Sequence, residues 1–263
     1  MRWMADVVYA NAYGRIIGID TGSVPVALPY LPIPWEIAPP GGTVDRWYRI
    51  ARNSDETFTL AIGDEPAQTA HSLEALSEQI EGDLHHWLAT YTRGYLFVHA
   101  GCVAWRNRAI VIPGRSHTGK TTFTRALVEA GAVYYSDDYA VVDPEGNVWP
   151  FPRRLHVRPR TPGPVQSLDP IANNWPVGRE PIRAALVAHL RFDGNQGWAI
   201  EQVTSGQGAL ALLDNTVAAR ERPQDSLRVM ANLMKGARAI TGTRDDAGSS
   251  AVQLLSMVDE IIG

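Results

Sequence analysis

The chain has 263 residues, 45% hydrophobic and 20% charged, a globular balance that excludes a mostly disordered or fibrous protein. A formal net charge of -4 leaves nothing global to draw it to a nucleic acid or an anionic membrane. The single cysteine, Cys102, rules out an internal disulfide and a cysteine-rich zinc site, and no window reaches the roughly 18 consecutive apolar residues of a membrane span.

Residues 1–15 lack the charged flank and unbroken apolar run of a secretion signal, so a soluble cytoplasmic protein is expected, with no nucleic-acid or membrane partner. Residues 1–95 form a β-rich region. The runs 7–13, 15–20, 47–51 and 57–62 are apolar, aromatic and β-branched, and Gly, Pro, Asn and Asp break them. The Pro-heavy stretch 25–42 predicts loop or extended chain. Ser72 is placed to cap a helix reaching about residue 91, with Glu74 in its first turn. Leu73, Leu76, Ile80, Leu84, Trp87, Leu88 and Tyr91 fall at helical spacing and predict one buried stripe. His85 and His86 are helix neighbours that diverge, so they do not make a metal pair.

From residue 96 the texture changes. Apolar strands at 96–105 and 109–113 flank a turn at 106–108, and a helix over 120–130 ends at Gly131. Strands follow at 133–136 and 139–142, and a turn at 144–147 leads into another near Val148. Residues 150–182 are rich in Pro and Arg and predict a long, partly irregular connection of the kind that often carries function. Strands at 184–192 and 198–203 precede helices near 206–213, 225–236 and 249–262. Val252, Leu255, Val258 and Ile262 mark one face of the last helix, which suggests docking. No internal repeat is evident.

Gly114-Arg115-Ser116-His117-Thr118-Gly119-Lys120-Thr121 is G-x-x-x-x-G-K-[ST], a Walker A pattern, between an expected strand and an expected helix. Such a P-loop turns backbone N–H groups onto phosphate oxygens, and the helix N-terminus adds its dipole. Gly114 and Gly119 allow torsions and close approach that a Cβ would block. Lys120 is placed to bridge the β- and γ-phosphates, the Thr121 hydroxyl to ligate Mg²⁺, and Thr122 follows in the first helical turn. Of 24 basic residues only Lys120 and Lys235 are lysine. That scarcity makes Lys120 a candidate for work a guanidinium cannot do.

One helix later the strand at 133–136 runs into Asp137-Asp138. Two carboxylates beside a phosphate loop permit a division of labour, one on metal or its water, the other accepting a proton from an attacking hydroxyl. Both reach one site only if the strand ends or bulges there. His99 lies on the strand before the loop strand, where a packed imidazole and a site residue are both open readings.

The order of a His-containing strand (Val98-His99-Ala100-Gly101-Cys102-Val103-Ala104), hairpin, P-loop, helix and strand ending in Ser136-Asp137-Asp138-Tyr139 resembles the catalytic domain of HPr kinase/phosphorylase. The likeness covers about residues 96–160. It extends to HPr-kinase-related proteins of peptide-tailoring systems, in which a Pro-Arg segment such as 150–155 follows the acid pair. The resemblance implies an α/β fold: a P-loop-containing mixed sheet of the HPr kinase C-terminal domain and PEP carboxykinase type over 96–263, after a smaller β-rich region over 1–95.

It further implies a kinase that uses ATP and Mg²⁺. The acceptor would be a hydroxyl, most naturally a serine of a peptide or small protein; a small-molecule kinase, for example of free serine, and a non-catalytic nucleotide-binding accessory protein stay open. By resemblance Lys120 and the loop amides hold the phosphates, Thr121 and Asp138 serve the metal, and Asp137 is the general base. His99 stands at the phosphate end, and Arg153 or Arg154 clamps phosphate or an acidic substrate. His117 and Thr121-Thr122 depart from the family's Gly and Ser-Glu, and the glycine-rich phosphorylase segment has no counterpart in 150–200. Neither phosphorolysis nor HPr as substrate is therefore expected. A homo-oligomer is compatible with the resemblance, but the residues that would assemble one are not recognisable.

Overall fold

The computed structural model describes residues 7–28, 30–31, 34–39, 41–115, 118–157 and 166–263. Two compact units divide the chain, Met1–Arg93 and Gly94–Gly263. Both mix helix and strand, so the protein is of mixed α/β class.

The first unit is a six-stranded sheet with one helix. Its strands are β1 (Val7–Ala12), β2 (Arg15–Asp20), β3 (Trp35–Ile37), β4 (Arg46–Arg52), β5 (Phe58–Ile62) and β6 (Gln68–Ala70), in the order β3-β1-β2-β4-β5-β6. All pairs are antiparallel except β2–β4. Tyr13 and Gly14, with φ of 54° and 78°, make the two-residue turn between β1 and β2, so the first strand ends a residue before the expected 13. In β5 Phe58, Leu60 and Ile62 are buried and Thr59 and Ala61 are not, the period-two pattern of a half-covered strand. β3 and β6, three residues each, lie outside every predicted strand; neither is long enough to show that period.

Helix α1 (Leu73–Tyr91) begins where Ser72 Oγ accepts from Ala75 N at 3.1 Å. Leu76, Ile80, Leu84 and Leu88 are fully buried, and each such side chain contributes roughly 1.5–3 kcal/mol. The predicted stripe is shorter than expected: Leu73 and Tyr91, at the two ends, are exposed. His85 is buried with Nε2 3.0 Å from the Tyr30 carbonyl, while His86 faces solvent.

The second unit opens with β7 (Leu96–Trp105) and β8 (Arg108–Pro113). Arg106 and Asn107 join them as a two-residue turn with φ of 46° and 61°. Next come α2 (Lys120–Glu129), β9 (Val133–Ser136), β10 (Tyr139–Val142), β11 (Asn147–Trp149), β12 (Leu155–Val157) and β13 (Gln166–Leu168). The chain closes with β14 (Ile182–Phe192), β15 (Ala199–Val203), α3 (Ser205–Leu213), α4 (Pro223–Met234), β16 (Arg238–Arg244) and α5 (Ala247–Ile262). The main sheet runs β11-β10-β7-β8-β14-β16-β15, and β9 pairs with β7. Its middle strands β8, β14 and β16 are parallel and the flanking pairs antiparallel. Within 150–182, β12 and β13 form a separate two-stranded ribbon.

Alternation along the central strands divides the core into two layers. Ala109 and Val111 of β8 pack with Ala209 and Leu212 of α3 and Val229, Met230 and Leu233 of α4. Ile110 and Ile112 pack with Phe123 and Leu127 of α2 and Ala251, Leu254 and Val258 of α5. A sheet buried on both faces demands apolar residues at successive positions, as β8 has. Two expectations need correction. The buried face of α5 is Ala251, Leu254, Leu255 and Val258; Val252 is 59% exposed. β16, a strand paired on both edges, lies where no strand was predicted, because its only buried apolar residues are Ala239 and Ile240.

Candidate functional site

The site begins where β8 ends. Pro113 lies opposite Ala100 of β7, and Gly114 N then donates to the His99 carbonyl at 3.1 Å. The loop so started curls on itself: Thr118 Oγ1 and Lys120 Nζ both donate to the Arg115 carbonyl, at 2.9 and 2.7 Å. Ser116 and His117, two expected loop residues, lie outside the described residues. Gly119 then takes φ of 82° and becomes the N-cap of α2. A Cβ there would be strained in that left-handed conformation and would collide with the Arg244 guanidinium.

No side chain caps α2 and no acid occupies its first turn, so its N-terminal amides and positive dipole end meet no carboxylate cap. Cations gather there instead. Arg244 is 3% exposed, donates from Nη2 to the Gly119 carbonyl at 3.0 Å, and stacks on Phe123 and Phe192, 4.7 and 5.5 Å from the ring centres. Burial holds the Lys120 ammonium below the usual lysine range, against the opposing pull of Asp138 and Asp137. A cation is disfavoured at the positive end of a helix, so this corner is stabilised by an arriving anion.

The acid pair faces the loop because the strand stops. β9 ends at Ser136 and β10 starts at Tyr139, leaving Asp137 and Asp138 in the bend between. Ser136 Oγ accepts from Asp138 N and Tyr139 N at 3.2 and 3.1 Å and closes the bend, and Ala100 N of β7 bonds the Asp138 carbonyl at 3.0 Å. The alternation of a continuous strand, which would send the two side chains to opposite faces, is thereby interrupted.

Asp137 is 8% exposed. It accepts from Thr121 Oγ1 at 3.0 Å through Oδ2 and from the Tyr134 hydroxyl at 3.1 Å through Oδ1. Burial raises its proton affinity above the usual carboxylate range and the Asp138 charge adds to the shift, while Arg153 and the two hydroxyls oppose it. Asp138 pairs with Arg153 and lies 3.7 Å from His99 Nδ1; the His99 ring in turn stacks on Tyr139 at 4.7 Å. Burial would lower the Arg153 proton affinity, but Asp138 and Asp137 hold it above the usual arginine range.

No protein-family model matches the chain, and no curated protein matches it.

Most expected residues converge on one corner: Gly114, Arg115, Thr118, Gly119, Lys120 and Thr121 from the loop and helix, Asp137 and Asp138 from the bend, and His99 from β7. Thr122 is exposed in the first turn of α2. The two candidate clamps separate. Arg153 joins the acid pair, whereas Arg154 donates from Nε to Asp169 Oδ2 at 3.4 Å, beside the β12–β13 ribbon. Two residues were missed. Tyr134 has a buried phenol, held well above its usual range by burial and by Asp137, that bonds Asp137 and the Arg153 carbonyl. Its signal was its place three residues before the pair. Arg244 left no signal, since it closes a strand with no apolar run.

The donor set fits a hard cation. One threonine hydroxyl and two carboxylates lie together, and Mg²⁺ is commonly held by one or two carboxylates plus substrate phosphates. Among the described residues no group of three His, Cys, Asp or Glu side chains is placed to hold a metal ion.

Proposed function

We propose that the chain is a Mg²⁺-dependent, ATP-using kinase with a P-loop of the HPr-kinase type, phosphorylating a hydroxyl, most naturally a serine of a peptide or small protein. One observation carries the reading. The uncapped N-terminus of α2, with Lys120 and Arg244 against it, faces two carboxylates across one corner. That corner suits a polyphosphate on one side and a cation with an attacking hydroxyl on the other.

The loop amides and Lys120 would hold the phosphates, with Lys120 leaving the Arg115 carbonyl for phosphate oxygens. Mg²⁺, held by Thr121 with a carboxylate of the pair, would neutralise charge on the phosphate oxygens. In the transfer step the acceptor oxygen bonds to the γ-phosphorus and the bond from phosphorus to the β,γ-bridging oxygen breaks. ADP leaves with that electron pair, and the hydroxyl proton passes to a carboxylate. Asp137 suits the base role, because a raised proton affinity brings it nearer the working pH. Arg153 would fix Asp138 and offset the negative charge of the pair.

The Thr121–Asp137 hydrogen bond favours a second division of labour, with Asp137 on the metal side and Asp138, beside His99, as base. Under the first assignment Asp137→Asn keeps ATP binding and loses transfer; under the second it raises the Mg²⁺ requirement, and Asp138→Asn loses transfer.

The experiment is a mass-spectrometric assay with Mg²⁺, ATP and serine-containing peptides. A gain of about 80 Da (one phosphoryl group) that vanishes in Lys120→Ala supports the kinase. ATP binding with no product from peptides or free serine would move the reading to a nucleotide-binding accessory protein.

A further inference from the structure

A cavity of about 710 Å³ opens beside the loop, lined by Arg115, Leu213, Asp214, Val217, Arg220 and Leu227 among others. Its wall is the segment that follows α3. There Asn215 O accepts from His99 N at 2.7 Å and Val217 N donates to the Phe97 carbonyl at 2.9 Å. The segment thus takes over the edge of β7 beyond the point where β8 turns away. Asn215 Nδ2 and Thr216 Oγ1 also donate to the Ala211 and Leu212 carbonyls, at 2.8 and 2.9 Å, so this wall is fixed to the end of α3.

His99 joins the three parts. Its carbonyl holds Gly114 at the start of the loop, its N–H holds the cavity wall, and its ring lies beside Asp138. The cavity also meets the start of the loop. Lys120, placed to reach the β- and γ-phosphates, has its Nζ on the Arg115 carbonyl, and Arg115 lines the cavity. On the kinase reading, the opening lies beside the Arg115 and Lys120 end of the loop, where Lys120 would hold the γ-phosphate and an acceptor must enter.

We propose that this cavity is the acceptor site, and that it takes an extended peptide with an apolar residue and an acidic residue near its serine. The inference rests on the kinase reading above. A volume inside the roughly 300–1,000 Å³ range of pockets for drug-sized ligands has room for several residues, more than a free amino acid fills. Leu213, Val217 and the half-exposed Leu227 offer the apolar surface. Arg115 and Arg220 outnumber Asp214, so an acidic side chain is favoured there, while Asp214 is suited to accept a peptide N–H. The peptide's serine oxygen takes the γ-phosphoryl in the step written above, and its proton goes to the acid pair.

The test uses the full chain and fluorescein-labelled heptapeptides with a central serine, a neighbouring leucine, and Glu, Ala or Lys at the flanks. Anisotropy reads binding, and mass spectrometry with Mg²⁺ and ATP reads transfer. The glutamate peptide should bind at least about tenfold more tightly than the lysine peptide. Arg220→Glu should reverse that order with ATP affinity kept, a gain for the lysine peptide that misfolding cannot produce. Leu227→Glu should weaken every peptide. Phosphorylation of peptides with KM and flank preference unmoved by Arg220→Glu overturns the acceptor-site assignment and leaves the kinase standing. Phosphorylation of free serine alone does the same. Bound ATP with transfer to no acceptor overturns the kinase reading, and the acceptor role with it, whatever the peptide affinity.

Discussion

Arg244 at the end of β16 donates to the carbonyl of Gly119 at the start of α2, across 125 residues of chain, with Nη2 and oxygen 3.0 Å apart. The guanidinium lies between Phe123 and Phe192 and fills the space a Cβ on Gly119 would need. One arginine thus holds the left-handed turn that opens the helix.

Substitution of Arg244 should therefore cost both stability and phosphate binding. A hydrogen bond from a charged donor is worth about 1.5–3 kcal/mol, and the lost stacking adds to it. Arg244→Ala should lower Tm by several degrees and weaken ATP binding, whereas Arg244→Lys, which keeps charge without the planar fork, should recover part of each. Thermal unfolding with and without ATP checks this; equal loss in the two variants would mean that charge alone contributes nothing here, and parent-like behaviour of Arg244→Ala would overturn the role of the side chain.

Lys120→Ala should separate binding from folding. Burial disfavours the ammonium while its hydrogen bond to the Arg115 carbonyl and the two carboxylates favour it, so its removal should change Tm in nucleotide-free buffer less than Arg244→Ala does. Loss of a charged hydrogen bond to phosphate should weaken ATP by about 10–100-fold. Calorimetric titration of ATP into both proteins reads the difference.

Asp137 should make stability depend on pH. Its proton affinity is raised in the folded chain, so between the ordinary carboxylate pKa of about 4 and the raised value the folded state binds more protons than the unfolded state. Stability contributed by this group is present below that window and is lost as pH rises through it. Asp137→Asn should thus gain stability relative to the parent on going from pH 4 to pH 8, in buffer with a chelator and no nucleotide. Urea midpoints at several pH values measure it, and a difference that shrank with pH would reverse the sign.

Ser136→Ala tests the bend. Ser136 is fully buried, and its hydroxyl accepts from two backbone N–H groups that the variant leaves without that acceptor, a cost of roughly 1–3 kcal/mol. Transfer should fall more than ATP affinity does, because the bend aims the carboxylates and leaves the loop alone. An unchanged transfer rate would show that the bend is held by its strand neighbours.

The glycine-bounded loop, its lysine and threonine, the acid pair and the helix after the loop were all legible in the sequence. Each is contiguous, and its conformation follows from local torsions and from hydrophobic period. The β7–β8 hairpin was legible for the same reason. Which of two adjacent arginines meets Asp138 was not, since neighbours on an extended chain point apart and only the packed surroundings choose Arg153 and give Arg154 to Asp169. The pairing of Thr121 with Asp137 depends on the ending of β9, which is set by backbone bonds to β7. Arg244 and the wall at residues 215–217 reach the site because β16 pairs between β14 and β15 inside the sheet, and because a loop of distant sequence pairs with β7 where β8 leaves it. Those bonds run through backbone groups that every residue carries, so no local pattern names their partners and only the assembled sheet decides them.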